Sequence, residues 1–313
     1  MQSFIIRRFF TSLLALSIAT MAIFAMSRTL GDPRMNLLPE QGYGFDQEEW
    51  ERAGERLHLN DPLPIQYGYW VIDTLQGDLG QDLTDRFQVK DKLIPRLWPT
   101  AMLAGVAWVV ATIIGIPLGG LSAIRRGSFL DLTGRTIAML GYSLPTFWVG
   151  IVLILIFAVW LGWLPAATMG TSGALFPWKY LILPGITLGW VALAGYVRLV
   201  RSAMLEIMDS EYIKLARAKG VSEFYVVWKH GFRNAAIAPL TYGGILLAGL
   251  ITGSIAAETV FAWPGIARWS VEAVWTNNLP VLVATTTIFT VSYIFLNFLV
   301  DILYSVVNPR VRY

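Results

Sequence analysis

The residues best placed to do work lie together between Glu211 and Pro239, in the stretch EYIKLARAKGVSEFYVVWKHGFRNAAIAP. Asp209 or Ser210 can cap a short helix in which Tyr212, Leu215, Ala216 and Lys219 share a face. Gly220 falls where a helix end favours a left-handed residue. Ser222 can open a second helix with Glu223 well placed in its first turn. Along that helix Phe224, Val227, Trp228 and Phe232 form an apolar stripe. The chemistry on offer is recognition and not bond-breaking. The segment predicts two short helices angled at Gly220, with aromatic side chains that need cover. That cover is either the chain's own apolar segments or a groove on a partner, since helix-in-groove docking is a common binding mode. Amphipathicity leaves both open.

Other reactive candidates are sparse. The chain has no cysteine, which excludes disulfides and thiolate chemistry, and its two histidines, His58 and His230, argue against a His-rich metal centre. No cluster of metal ligands and no nucleophile paired with a base stands out, which argues against a membrane-bound enzyme. The phosphate-binding pattern G-x-x-x-x-G-K-[ST] is absent. A net charge of +3 is too small to argue for nucleic acid. Glu258 and Asp301 sit at or near the ends of apolar runs. Each is either a carboxylate held at membrane depth, which is costly and often functional, or a side chain reaching the interface. No chain of buried acids or histidines runs through the apolar segments, as a proton-coupled carrier would need. No selectivity ring of the kind a channel needs is visible either.

The elements that carry the insert are membrane spans. Hydrophobic residues make up 55% of the chain and charged residues 14%, against about 25% charged in soluble domains. A spanning helix needs ~20 mainly apolar residues. Six such runs are expected, at Phe9–Ser27, Thr100–Ile124, Thr136–Leu161, Tyr180–Val197, Ala235–Ala257 and Leu279–Val300, the fourth being the shortest. The first run is longer than a signal-peptide core and no A-x-A site follows it, so it is expected to stay. Short loops rich in Lys and Arg face the cytoplasm. Arg7 and Arg8, Arg125, Arg126 and Arg135, the run from Arg198 to Arg233, and Arg310 and Arg312 all fall on one side. Both termini are therefore expected in the cytoplasm.

Residues Thr29 to Pro99 are the one sizeable polar region and are expected to lie outside. Asp46 and Glu49 have capping-box spacing, Glu48 and Arg52 form an i, i+4 pair, and Trp50, Ala53 and Leu57 share a face. After Asn60-Asp61-Pro62 a second amphipathic segment carries Tyr67, Trp70, Val71 and Leu75 on one side, suited to the membrane–water boundary. The region is a docking platform for an external partner or a solvated connector. Gly115–Gly119, Gly185–Gly189 and Gly249–Gly253 have the G-x-x-x-G spacing of close helix packing. Pro117, Pro145 and Pro184 interrupt apolar runs and can kink them.

A succession of short motifs over nearly the whole length resembles the membrane subunits of dipeptide/oligopeptide ABC importers, of the B type that pairs with a C-type subunit. These motifs are Leu63-Pro-Ile-Gln-Tyr67, Gly77-Asp-Leu-Gly80, Ile116-Pro-Leu-Gly119, Ser143-Leu-Pro-Thr-Phe-Trp148 and Leu161-Gly-Trp-Leu-Pro165. Further on come Ala216-Arg-Ala-Lys-Gly220, with His230, Asn234 and Pro239 behind it, then Glu258-Thr-Val-Phe-Ala-Trp-Pro-Gly265 and Asn308-Pro-Arg-Val-Arg-Tyr313. The general importer motif E-A-A-x3-G is met only at Ala216 and Gly220. Lys214 and Leu215 stand in its first two places, and His230 and Arg233 replace the ends of the late I-x-L-P. Ala267 and Asn308 stand where Gly and Asp are frequent.

The resemblance implies an all-α polytopic protein of the type I, MetI-like permease fold, with six transmembrane helices and a large first external loop. It implies a first helix at 1–28, an external loop at 29–99 and a permease core at 100–313 that includes a cytoplasmic coupling loop at 209–236. Ala216, Arg217, Lys219, Gly220, Val221, Ser222 and Glu223 would surround the contact with an ATPase. Partners would be a second, related permease, two ABC ATPase subunits that bind ATP and Mg, an external substrate-binding protein and the lipid bilayer. The chain itself would hold no cofactor and hydrolyse nothing. Cargo would be dipeptides or oligopeptides, or alternatively nickel, haem or glutathione, drawn through by alternating access in a bacterial or archaeal inner or plasma membrane.

Overall fold

The computed structural model describes residues 2–30, 32, 34, 47–56, 58–170 and 176–307. The expected cap at Asp46, the Leu57 position and the C-terminal Asn308–Tyr313 motif lie outside the described residues. Among the described residues there are helices and no strand, only an isolated bridge between Gln81 and Gln88. In chain order the helices are α1 (Gln2–Leu30), α2 (Gln47–Arg56), α3 (Leu63–Gln76), α4 (Val89–Ile124), α5 (Phe129–Ser143) and α6 (Thr146–Leu153). There follow α7 (Trp178–Met208), α8 (Glu211–Ala218), α9 (Glu223–Tyr225), α10 (Arg233–Ala235) and α11 (Ile237–Thr252). The last three are α12 (Ile255–Val260), α13 (Ile266–Trp275) and α14 (Leu279–Val307). Among the described residues four helices are long and apolar enough to cross a membrane: α1, α4, α7 and α14. The number rises to six when two bent pairs each count as one span.

The first bent pair falls at Pro145, one of the three prolines expected to kink an apolar run. α5 and α6, the latter continued by a π-helical turn at Ile154–Trp160, meet at 113°. Leu144 is extended, and Pro145 sits before the first residue of α6, where its missing N–H is no loss. Pro117 and Pro184, by contrast, lie inside continuous helices. The fourth span is corrected. α7 has 31 residues and is the most enclosed of the long helices, with 72% of its apolar window buried. The apolar run stops near Arg198, but the helix goes on because Val200, Met204 and Met208 keep one face apolar and buried. The fifth expected span ends early, at Thr252, where Gly253 and Ser254 turn the chain into α12.

Two compact units emerge, and each has its own core. One comprises residues up to Trp98 with Gly265–Phe295. There Tyr67 and Trp70 of α3 pack on Phe24 of α1, and the Tyr67 and Thr20 hydroxyls are 2.8 Å apart. The opposite face of α3 leaves Ile65, Ile72 and Leu75 exposed, so the expected single apolar side is split between α1 and the surroundings. Elsewhere in this unit Val89, Leu93, Ile266, Trp269, Ala273 and Val281 form a buried cluster.

The other unit comprises Pro99–Pro264 with the chain from Leu296 on. Its core joins α4 to α7, centred on Leu103, Ala107, Leu188, Ala192 and Tyr196. Glycine makes that approach possible. A methyl group on Gly119 would stand 2.8 Å from the Val197 carbonyl oxygen, and one on Gly189 2.9 Å from that of Ala107. Two of the three G-x-x-x-G pairs thus face each other's helices, as small residues do where lipid gives no hydrophobic drive. The third does not: nothing lies over Gly249, and Gly253 abuts only the Gly249 carbonyl of its own helix.

Candidate functional site

The insert after α7 folds as a hairpin of short helices. α8 ends in a Schellman motif. The Gly220 N–H donates to the Arg217 carbonyl at 2.9 Å and the Val221 N–H to the Ala216 carbonyl at 3.2 Å. Gly220 has φ +75, a left-handed conformation that residues with a Cβ adopt only at a cost. The position therefore behaves as the spacing predicts. The capping expectations fail in detail. Ser210 and Ser222 occupy the positions before α8 and α9, but neither side chain bonds the helix amides. The Ser210 hydroxyl instead turns back to the Ile207 carbonyl at 2.5 Å. The second helix is a single α-turn followed by a π-helical stretch, Val226–Phe232.

The two arms are tied across Gly220 by a bidentate ion pair. Arg217 Nη2 donates to Glu223 Oε1 at 2.7 Å and Nε to Oε2 at 3.1 Å. That hydrogen-bonded pairing holds the Arg217 guanidinium above its ordinary pKa. Further along, Asn234 Nδ2 donates to the His230 carbonyl at 2.8 Å and to the Tyr212 hydroxyl at 3.3 Å. The hairpin is thus held at its tip and at its base.

Its apolar residues divide into two faces. Ile213, Val226 and Val227 are buried with Val200, Met204 and Met208 of α7, Ala123 of α4 and Ala235, and Ala216 and Phe232 lean on the same cluster. The expected stripe of Phe224, Val227, Trp228 and Phe232 is therefore split. The π-helical stretch sets Val226 and Val227 inward together, whereas Phe224 and Trp228 are left outside with Tyr225, Tyr212 and Leu215. Phe224 is 68% exposed and Leu215 56%. Of the residues expected around the contact, Arg217, Lys219, Gly220, Ser222 and Glu223 are exposed, and Ala216 and Val221 are half-buried beneath them. The inward face fastens the loop to α7, and the outward face leaves five large apolar side chains uncovered.

Two polar nodes lie in the same unit, and the first escapes sequence reading. Asp131, only 3% exposed, accepts from Ser122 Oγ at 2.8 Å, from the Gly127 N–H at 3.0 Å and from Arg201 Nε at 2.8 Å. It joins the end of α4, the start of α5 and the lower part of α7. The only local hint is the Ser128-x-x-Asp131 spacing of a helix start. Glu258, left open between membrane depth and interface, is fully buried. Its Oε1 accepts from Thr100 Oγ1 at 2.7 Å and from Ser254 Oγ at 2.9 Å, and these hydroxyls satisfy it where no water reaches. Asp301 is half-buried. Among the described residues no group of His, Cys, Asp and Glu is arranged to hold a metal ion.

Comparison with known proteins agrees with this architecture. Residues 115–313 match the family model described as binding-protein-dependent transport system inner membrane component. The glutathione transport system permease protein GsiC of Escherichia coli O6:H1 (strain CFT073) is 37% identical over the full length of both chains. The protein of the same name from E. coli K12 is 36% identical, and that from Salmonella choleraesuis 35%, again over both full lengths. Two solved chains of the MetNI methionine ABC transporter in inward-facing conformations share the fold. Their TM-scores are 0.57 and 0.58, at 20% and 21% identity. They cover 69% of this chain, and it covers 95% and 96% of theirs. With its apolar helical spans, its MetI-like fold and these matches, the chain belongs to the family of binding-protein-dependent transport system inner membrane components and is a multi-pass permease subunit of an ABC importer.

Proposed function

We propose that this permease carries short peptides, glutathione among them, across the inner membrane. The observation that supports the reading is end-to-end similarity to permeases named for glutathione transport, itself a tripeptide, on a chain whose motifs resemble those of dipeptide importers. Nickel and haem are the other cargoes weighed; the spans do not discriminate among them, because cargo choice in this reading resides largely in the external binding protein.

In this reading the chain forms half of the pathway within residues 100–313, beside a second, related permease. Both termini lie in the cytoplasm. Two partner ATPases bind ATP and Mg and do the hydrolysis, and an external binding protein delivers the cargo. The loop at 209–236 is the handle. Residues Ala216 to Glu223 and the outward aromatics Phe224, Tyr225 and Trp228 seat in a groove of the ATPase. The inward cluster of Ile213, Val226 and Val227 then passes the motion to α7, and Asp131 passes it on to α5 through Arg201.

The test is uptake by the purified complex, with its ATPases and binding protein, in liposomes. Labelled glutathione and labelled dialanine are expected to accumulate only with ATP inside. Accumulation of neither, with nickel or haem moved instead, would overturn the cargo reading while leaving the permease assignment intact.

A further inference from the structure

One cluster on α5, α7 and α11 takes no part in the coupling loop. Tyr142, at the end of α5, and Tyr242, on α11, bring their hydroxyls together over Gly195 of α7. A methyl group there would stand 2.0 Å from the Tyr242 oxygen and 3.2 Å from the Tyr142 oxygen. One turn further along α7, the guanidinium of Arg198 lies over the Tyr142 ring, 5.2 Å from its centroid. Arg198 and Tyr142 are exposed, whereas Tyr242 is half-buried and stands edge-on to buried Tyr196 at 5.1 Å.

Two phenols and a guanidinium thus converge over the backbone of Gly195, on the most enclosed span of the chain. An arginine that merely ends a span reaches out to water or to lipid headgroups. This one folds back over an aromatic face that also presents a hydroxyl. A guanidinium offers paired donors matched to a carboxylate, and phenol hydroxyls supply further donors beside it. We propose that Arg198, Tyr142 and Tyr242 form a subsite for a carboxylate of the peptide cargo on its way through the membrane. The inference rests on the cargo reading above.

The experiment measures glutathione uptake by the reconstituted complex, at cargo concentrations below saturation, for Arg198→Gln, Arg198→Lys, Tyr142→Phe and, as a control, Arg135→Gln. Arg135 is an exposed arginine, also on α5, that lies outside the cluster. Arg198→Gln is expected to slow uptake about tenfold or more, the usual scale for losing a hydrogen bond to a charged group. Arg198→Lys keeps the charge and should lose about threefold. Tyr142→Phe, which keeps the ring and removes only the hydroxyl, should also lose about threefold. Arg135→Gln should match wild type. Wild-type uptake in Arg198→Gln, or an equal loss in Arg135→Gln, would overturn the subsite. A wild-type complex that moves no peptide with a free carboxylate would overturn the cargo reading and this inference with it.

Discussion

The hairpin after α7 and the segment between α3 and α4 handle polar groups in opposite ways. In the latter, Asp82 is buried, only 2% exposed. It is closed in by the Lys92 ammonium, by Asn278 Nδ2 donating at 2.6 Å and by the Thr84 N–H at 2.9 Å, with Lys92 also 2.5 Å from Asp85. The hairpin does the reverse. Its backbone is satisfied and its ion pair is exposed, yet large apolar side chains stand in the open. Buried charge needs internal partners to exist at all, whereas an exposed apolar patch on a satisfied backbone marks a surface that meets something else. One region holds the fold, and in the proposed reading the other is held by a partner.

Substitutions can break this contrast. Asp82→Ala should have the largest effect, a loss of about 2–4 kcal/mol, because it leaves the buried Asn278 amide without its acceptor and takes from Lys92 the more buried of its two carboxylates. The readout is thermal unfolding of the detergent-solubilised complex. Gly220→Val forces a β-branched residue into a left-handed conformation, at about 1–3 kcal/mol of local strain. Assembly should survive while uptake per ATP hydrolysed falls several-fold; wild-type stoichiometry would contradict the role of the bend.

Acid should act on the first region. Burial opposes ionisation of Asp82, but Lys92, the Thr84 N–H and the Asn278 amide outweigh it and hold the carboxyl below its ordinary 3.8. A depressed carboxyl stabilises the fold at pH above its unfolded value and loses that contribution as pH falls through the folded one. The unfolding temperatures of wild type and Asp82→Asn should differ constantly from pH 7 to about pH 5. The gap should then close below about pH 4. Arg217→Ala should have the smallest effect. It breaks an exposed pair worth about 0.2–1 kcal/mol, shifts the melting temperature little, and is read best as looser coupling.

Much of this was legible in the chain. The apolar runs, the glycine at the hairpin bend and the motif order pointed to a permease of up to six spans with a Gly-bent helical insert after the fourth. What was hidden follows from its physics. Asp82 and Asn278 are 196 positions apart, and no local pattern announces such a pair. α7 outruns its apolar stretch because only one face needs to be buried, so a hydropathy window ends it too soon. The hairpin stripe was read with a period of 3.6, but the π-helical stretch widens the turn and sends Val227 inward and Trp228 outward. Glu258 looked able to reach an interface because Thr100, its partner, lies on another helix.

The central claim is that the outward face of the hairpin is where a partner ATPase grips. It is tested most directly by purifying the complex carrying Phe224→Ala and Trp228→Ala together and measuring how much ATPase stays bound. Both side chains are exposed, so the melting temperature of the permease alone should stay within what about 0.5 kcal/mol would shift. The bound ATPase should fall to a small fraction of wild type. Full retention of the ATPase, with uptake unimpaired, would contradict the account.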